Sequence, residues 1–199
     1  MSKRRRNIVV GAVLLLTAVF IWLERSPVGN NWQAQPDDFE KYHAKTFTVV
    51  NVVDGDTIDI GVPDGKYERT RIRLWGIDTP ETKSEIPAVC RLGREAAEFT
   101  TKLALGKQVV VYLDEGNRTR GKYDRLLAYV KLPDGRFLNE VLVIEGFAYA
   151  DLRFRHSLYN KYKQLQAVAR RQKGGLWEHV TREQLPEWLQ RMNPNLLNK

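Results

Sequence analysis

Five short segments of the chain have the composition of β-strands, and together they leave few folds open. Most of them are rich in β-branched or aromatic residues and end at a turn signal, as at Asp54-Gly55 and Pro133-Asp-Gly135. Three further segments space their apolar residues like helices. The strand segments are residues 47–53, 57–60, 69–75, 108–113 and 126–132, and the helical segments are residues 93–105, 138–145 and 157–172. This order predicts an α+β fold in which a small five-stranded barrel of the OB type carries about three helices.

The stretch 71–81 combines a strand with a charged loop. Its first four residues alternate arginine with apolar residues, as in a half-buried strand, and Pro80 ends the pairing because it has no N–H. Arg73 therefore lies on a rigid element, and two carboxylates, Asp78 and Glu81, follow it directly. A strand end that presents both signs of charge can bind a metal ion and an anion together.

A catalytic site for phosphoryl chemistry can be assembled around this strand. If the turn after the first strand meets the end of the third, Asp56 and Asp78 converge and, with a backbone carbonyl and waters, form a calcium or magnesium site. Glu81 can accept a proton from an attacking water or hold that water in place. Arg73 and Arg125 offer bidentate donors to phosphate oxygens. Each of these pieces alone also occurs as an ordinary turn, a solvated strand face or a basic loop.

Residues from about Lys45 to Trp177 resemble the staphylococcal nuclease (thermonuclease) family. The similar motifs occur in the same order, and they are Val53-Asp-Gly-Asp-Thr57, Arg71-Ile-Arg-Leu-Trp-Gly-Ile-Asp-Thr-Pro-Glu81, Gly93-Arg-Glu-Ala96, Lys122-Tyr-Asp-Arg-Leu-Leu-Ala128, and Asn139-Glu140 ahead of Gly146. The resemblance implies an OB barrel with three helices. It also implies a calcium-dependent endonuclease that hydrolyses phosphodiester bonds of DNA, RNA or both with low sequence specificity and leaves 3′-phosphates.

The resemblance also implies a role for each site residue. Leu152 departs from it, because the family's reference enzyme has a tyrosine of the nucleotide pocket there; Phe154 also replaces a tyrosine but can still stack on a base. Arg153 and Arg155 either add phosphate contacts or lie on the surface. The implied assignments are calcium ligands Asp56, Asp78 and Thr79 (through its backbone carbonyl), catalytic residues Arg73, Glu81 and Arg125, and substrate-binding residues Lys122, Tyr123 and Phe154.

The N-terminus has the composition of a targeting segment. Residues 3–6 are basic and precede an uncharged run from Ile8 to Leu23. Small residues suited to a cleavage site are missing near its end, and Trp22 suits a membrane interface. We predict that residues 1–25 are a transmembrane signal anchor, with the N-terminus inside and the bulk of the chain exported. A cleaved signal peptide, which would release the protein, and a buried core helix are the alternatives.

The rest of the chain divides into a polar linker (26–44), the nuclease-like domain (45–178) and a tail (179–199) in which we expect a short helix lying on the domain or free. The net charge is +8, but residues 3–6 supply four of these charges, so charge alone supports nucleic-acid binding weakly. The single cysteine, Cys90, excludes an intramolecular disulfide and a zinc site built from cysteines.

The sequence is also compatible with two functions other than catalysis. One is a non-catalytic, membrane-tethered module that binds nucleic acid through its OB barrel, as in copies of this fold that lack the active residues. The other is an interaction module that uses the tail around Trp177 and Trp188. The presence of all five charged site residues favours the nuclease, which we expect to be a monomer with DNA or RNA as its substrate.

Overall fold

The computed structural model describes residues 36–197. The predicted signal anchor (1–25) and the first part of the linker lie outside the described residues. In the described range, no helix is both long enough and apolar enough to cross a membrane.

Seven strands and five α-helices form the described chain, together with two 3₁₀ helices. In chain order they are α1 (Pro36–Tyr42), β1 (Lys45–Asp54), β2 (Thr57–Ile60), β3 (Thr70–Leu74), β4 (Ile77–Asp78), α2 (Pro87–Ala104), β5 (Gln108–Tyr112), β6 (Leu126–Lys131), α3 (Leu138–Ile144), β7 (Tyr149–Ala150), α4 (Tyr159–Gln172), the 3₁₀ helices Gly175–Glu178 and Arg182–Gln184, and α5 (Glu187–Met192).

Five strands close into a barrel in the order β1-β2-β3-β6-β5, which confirms the predicted α+β fold with an OB-type barrel. Neighbouring strands are antiparallel except β3 and β6, which are parallel and are connected through α2 and β5. The alternation expected in β3 is present: Ile72 and Leu74 are buried in the barrel core, and Arg71 is exposed. The barrel therefore holds Arg73 on a strand that pairs on both sides.

A separate pair of short strands extends from the barrel. Strand β4 pairs with β7 antiparallel, with Asp78 opposite Tyr149. The backbone N–H of Asp151 donates to the carbonyl of Gly76 at 2.9 Å and continues this connection. The pairing brings the segment after β7, residues 151–154, beside the carboxylate of β4.

The structure has five α-helices in its described part, and four of them were expected. The three predicted segments of the domain correspond to α2, α3 and α4, α5 is a short helix in the tail, and the additional helix is α1. Helix α1 lies in residues that composition groups with the polar linker. It has acidic residues in its first turn and Lys41 in its last, which suits the helix dipole, but it is too short for apolar periodicity to reveal. Its last residue, Tyr42, is fully buried in the barrel core and anchors it.

The C-terminal residues pack onto the domain through a second hydrophobic cluster. A capping box begins the second 3₁₀ helix, with Thr181 and Gln184 in reciprocal hydrogen bonds. The cluster consists of Tyr149, Ala169, Leu176, Trp177, Leu185, Trp188, Leu189 and Leu196. Helix α5 is thereby fixed next to β7, although at six residues it is too short to be stable alone.

Candidate active site

All nine residues proposed from the sequence line one open cavity of about 450 Å³ at an end of the barrel. They come from four places in the chain: the β1–β2 turn, the β3–β4 region with the loop after it, the loop before β6, and the segment after β7. Asp54, Arg118, Asp151 and Arg153 also line the cavity. The structure therefore brings the predicted site residues together.

Strand pairing brings Asp56 to Arg73. Thr57 is opposite Arg73 in the β2–β3 register, and the Leu74 N–H donates to the Asp56 carbonyl at 2.8 Å. The turn is held from the other side by Thr100 of α2, whose hydroxyl donates to the Gly55 carbonyl at 2.7 Å. The Asp-Gly-Asp turn is thus fixed by backbone contacts at both ends.

Arg73 is the group on which the two carboxylates converge. Its Nη2 donates to Asp78 Oδ1 at 2.6 Å, and its Nη1 makes an ion pair with Asp56 Oδ2. Only 15% of the Arg73 side chain is exposed. Thr79 binds the same oxygen of Asp56 through its N–H at 2.8 Å and its hydroxyl at 3.0 Å. Asp56 and Asp78 therefore lie on either side of one buried guanidinium.

The other oxygen of Asp78 has partners that sequence reasoning missed. Trp188 of α5 donates its indole N–H to Asp78 Oδ2 at 2.8 Å, and Arg153 Nη2 lies 3.4 Å from the same atom. Arg153 also donates twice to Asp151 at 2.8 Å. A tryptophan 110 positions from its partner gives no local signal in the sequence, so only the folded structure identifies it.

Negative charge is in excess at the carboxylate side of the cavity. Burial raises the pKa of Asp54 to about 6, and the charge of Asp56 adds to this rise. Burial, together with the charge of Asp56, also raises the pKa of Asp78 to about 6, although Arg73 and Arg153 oppose the change. A divalent cation next to Asp56 and Asp78 would offset this repulsion, and carboxylate oxygens are the ligands that hard cations prefer.

Side-chain carboxylates alone supply too few ligands for such an ion, so backbone and water oxygens would complete its coordination. Among the described residues, no group of three or more His, Cys, Asp or Glu has metal-binding geometry. A hard cation here would take two carboxylates, a backbone carbonyl of the kind predicted for Thr79, and water molecules.

A second guanidinium, that of Arg125, lines the same cavity as Arg73. Burial lowers the pKa of Arg125, and the nearby charge of Arg73 lowers it further. The Arg125 Nε is buried and has no hydrogen-bond partner among the residues described. A partly buried guanidinium next to a second one is a site where an anion such as a phosphate oxygen can bind.

Glu81 is exposed on the loop after β4, and α2 fixes the backbone of this loop. A Cβ at Gly93 would lie 2.6 Å from the Glu81 carbonyl oxygen and 2.7 Å from the Pro80 carbonyl oxygen. The Gly93 motif therefore has a packing reason: only a glycine allows the helix to approach the loop this closely.

Exposed aromatic rings border the cavity. Tyr123 is 70% exposed, with the Nζ of Lys122 5.4 Å from its ring centre and the guanidinium of Arg125 at 5.5 Å. Phe154 is partly exposed and stacks on Trp75 at 5.9 Å between ring centres. These rings can stack on nucleotide bases, which all have an aromatic face.

The two arginines of the segment after β7 have different surroundings. Arg153 lines the cavity, whereas Arg155 stacks on Tyr159, 4.1 Å from its ring centre, and is not among the cavity residues. Leu152 does not line the cavity and packs against the two hydrophobic clusters.

A second group of residues that the sequence did not reveal fixes the loop before β6. Arg120 donates to Asp38 of α1 at 2.5 and 2.8 Å and to Asp64 of the β2–β3 loop at 2.5 and 3.1 Å. Thr119 donates to the same Asp38 at 2.7 Å. Burial would raise the pKa of Asp64, but hydrogen bonds from Arg120 outweigh it and the pKa is lowered. This network holds the loop that carries Lys122 and Arg125.

The sequence of this chain is similar to those of known nucleases. Residues 71–179 match the family model described as staphylococcal nuclease homologue. A thermonuclease from Staphylococcus hyicus is 32% identical over 173 residues, covering 86% of this chain and 95% of the relative. A thermonuclease from Staphylococcus intermedius is 32% identical over 175 residues, covering 87% and 99%. A protein from Escherichia coli O157:H7 described as an uncharacterized endonuclease is 35% identical over 149 residues, covering 72% and 82%.

Proposed function

This chain belongs to the family of staphylococcal nuclease homologues, and from this membership we propose that it is an endonuclease that hydrolyses phosphodiester bonds of DNA, RNA or both. The observation that carries the proposal is the cavity in which Asp56 and Asp78 flank the Arg73 guanidinium while Arg125 lines the same space. It offers positions for a divalent cation and for a phosphate side by side. Stacking and phosphate contacts are largely independent of base identity, which supports low sequence specificity.

Calcium is the metal we propose, with Asp56, Asp78 and the Thr79 carbonyl as protein ligands. When bound, it would polarise a phosphoryl oxygen of the substrate and lower the pKa of a water. The two carboxylates are already oriented by Arg73, by Thr79 and by Trp188. The two carboxylates therefore have defined orientations in the protein alone.

The chain's own residues then have distinct tasks. Glu81 accepts the proton of the attacking water or holds that water, whose oxygen forms the new bond to phosphorus. The bond from phosphorus to the 5′-oxygen breaks, and that oxygen leaves with a proton taken from solvent, so the product is a 3′-phosphate. Arg73 and Arg125 donate to the phosphoryl oxygens as negative charge builds there. Both arginines keep their protons throughout, because guanidinium does not act as an acid near neutral pH.

Lys122, Tyr123 and Phe154 bind the substrate on either side of the scissile phosphate. Lys122 contacts a neighbouring phosphate, and the exposed rings of Tyr123 and Phe154 stack on bases or sugars. Each ring already has a neighbour in the cavity, since Tyr123 lies beside Arg125 and Phe154 stacks on Trp75.

The test is cleavage of supercoiled plasmid DNA and of single-stranded RNA by the full-length chain, with calcium and with excess EGTA. We expect nicking that needs calcium and products with 3′-phosphates, detected by their resistance to 3′-end extension until a phosphatase is added. Binding without cleavage under all conditions would favour the non-catalytic nucleic-acid module instead. Cleavage that persists in EGTA would contradict the metal assignment.

We further propose that residues 1–25 anchor the protein in a membrane and that the remainder is exported and monomeric. The basic residues 3–6, the apolar run and the missing cleavage site support this proposal. Protease treatment of intact cells should digest the nuclease domain while the N-terminus stays protected. Recovery of a soluble product that begins beyond residue 25 would instead support the cleaved signal peptide.

A further inference from the structure

Trp188 connects the C-terminal segment, residues 180–197, to the carboxylate of Asp78, which we propose as a calcium ligand. Its indole Nε1 lies 2.8 Å from Asp78 Oδ2, and 8% of the residue is exposed. The family match ends at residue 179, so this contact comes from chain beyond the matched range. The hydrogen bond is therefore an addition to the site that the family comparison does not assign.

The contact restricts a carboxylate that would otherwise turn freely. The terminal torsion of an aspartate is broad, so one donor alone leaves its second oxygen loosely placed. In this site Arg73 holds Oδ1 at 2.6 Å, and Trp188 holds Oδ2 from a different element. Two donors on opposite oxygens fix the plane of the Asp78 carboxylate.

Trp188 also places a cation beside the same carboxylate. The guanidinium of Arg153 lies over the indole, 4.6 Å from its ring centre, and its Nη2 lies 3.4 Å from Asp78 Oδ2. Asp151 holds Arg153 from the other side with two hydrogen bonds at 2.8 Å. The position of Arg153 therefore depends on the indole as well as on Asp151.

The C-terminal segment holds Trp188 rigidly enough for this task. Leu185, Leu189 and Leu196 are buried in the second cluster and anchor the residues on both sides of the tryptophan. Helix α5 thus presents the indole N–H to Asp78 in a fixed direction.

We propose that Trp188 is a positioning residue for the calcium site, because its indole N–H orients Asp78 for metal binding. This inference rests on the proposed function. When a group that hydrogen-bonds a metal-binding side chain is removed, the affinity for the metal commonly falls by 10- to 100-fold. The C-terminal segment would then be part of the catalytic machinery and not merely a tail.

The test compares Trp188→Phe with Trp177→Phe in the full-length chain. Both tryptophans are buried in the same cluster, but Trp177 Nε1 has no hydrogen-bond partner among the described residues, so its loss removes only packing. Calcium binding is titrated by calorimetry with CaCl₂, alongside thermal unfolding and plasmid cleavage at several calcium concentrations. We expect Trp188→Phe to weaken calcium binding about 10-fold, with cleavage restored by excess calcium, and Trp177→Phe to bind calcium like the wild type.

Equal calcium affinity in Trp188→Phe and the wild type would overturn the inference, as would an equal loss in Trp177→Phe. A wild type that neither binds calcium nor cleaves would overturn the proposed function itself, which distinguishes the two failures. If Trp188→Phe does not fold, the proposal is tested on the wild type by NMR of its ¹⁵N-labelled indole groups. Adding CaCl₂ should shift the Trp188 indole resonance and leave that of Trp177 in place, and an unmoved Trp188 signal would refute the proposal.

Discussion

Arg125 differs from Arg73 in what holds it, although both arginines line the cavity. Arg73 is fixed between Asp56 and Asp78, whereas Arg125 lies beside the exposed Tyr123 ring and its buried Nε has no partner in the described structure. Arg125 therefore has an N–H donor that is available to bind a ligand. At the scale of single residues, the cavity combines one arginine that organises the acidic groups with another that can bind an anion.

Replacing Arg125 with lysine should lower kcat about 100-fold, because the positive charge stays but the bidentate donor set is lost. Since Arg125 has no ion pair with any residue in the range 36–197, we expect the melting temperature to change little. Steady-state cleavage of a short oligonucleotide at saturating calcium measures kcat.

Arg155→Lys is the matched control for this substitution, because Arg155 stacks on Tyr159 and does not line the cavity. It should cleave at nearly the wild-type rate. Similar losses in the two variants would show that the effect is not specific to the cavity.

At the scale of elements, the site depends on loops that other elements hold in place. Helix α2 supports both the Asp-Gly-Asp turn, through Thr100, and the loop of Glu81, through the close approach at Gly93. The loop before β6 is held by Arg120, which binds one carboxylate of α1 and one of the β2–β3 loop. Arg73 lies on strand β3, whereas the other two catalytic side chains, Glu81 and Arg125, lie on loops that neighbouring elements hold in place.

Gly93→Ala should reduce cleavage strongly and destabilise the fold by about 1–3 kcal/mol, because the added Cβ overlaps the backbone of residues 80–81. Urea unfolding and the cleavage rate of the folded protein measure the two effects. Gly116→Ala is the control, since its Cβ would meet only an Asp114 oxygen at 3.6 Å. Wild-type activity in Gly93→Ala would mean that the position of Glu81 does not depend on this helix.

Arg120→Met should lower the free energy of unfolding by about 3–5 kcal/mol, because it leaves two largely buried carboxylates, Asp38 and Asp64, without their cation. Denaturant unfolding at pH 7 provides the measurement. Arg136→Met removes an exposed ion pair with Asp134 and should have little effect. If the two variants were equally stable, the Arg120 network would have no structural importance.

At the scale of the whole molecule, a buried polar group ties the barrel to α4. His156 Nδ1 lies 2.9 Å from the hydroxyl of Tyr129 on β6, and that hydroxyl donates to Asp114 at 2.9 Å. Ser157, next in the chain, donates to Asp114 through its backbone and its hydroxyl at 2.8 Å. Burial lowers the pKa of His156 below its ordinary value of 6.5, although Asp114 opposes the change.

This shift predicts a loss of stability in mild acid. As the pH falls below 6.5, the unfolded chain takes up a proton at His156 that the folded state resists, so the free energy of unfolding decreases. The contribution of neutral His156 to the free energy of unfolding is fully present above pH 6.5. It decreases as the pH falls toward the lowered pKa of the folded state, with a slope of at most about 1.4 kcal/mol per pH unit. Denaturant unfolding of the wild type and His156→Asn between pH 5 and 7.5 measures it as the difference between the two curves.

His179→Asn provides the comparison, because His179 is exposed. Its stability curve should run parallel to that of the wild type over this range. A His156→Asn curve that is also parallel to the wild type would show that His156 takes up its proton equally well in the folded and unfolded states.

Sequence and tertiary structure determined different parts of this protein. Strand segments and the barrel follow from local patterns, because alternation and turn residues act within a few positions of the chain. Nine residues of the cavity were identified from charged motifs and from the family resemblance that those motifs carry. The roles of Trp188 and Arg120 do not follow from local patterns, because each binds carboxylates that are 56 to 110 positions away. Helix α1 belongs to the same group: its short polar sequence has no apolar periodicity, and the burial of Tyr42 in the barrel stabilises it. Contacts between distant segments form only when the barrel closes, and so they leave no periodic signal in the sequence.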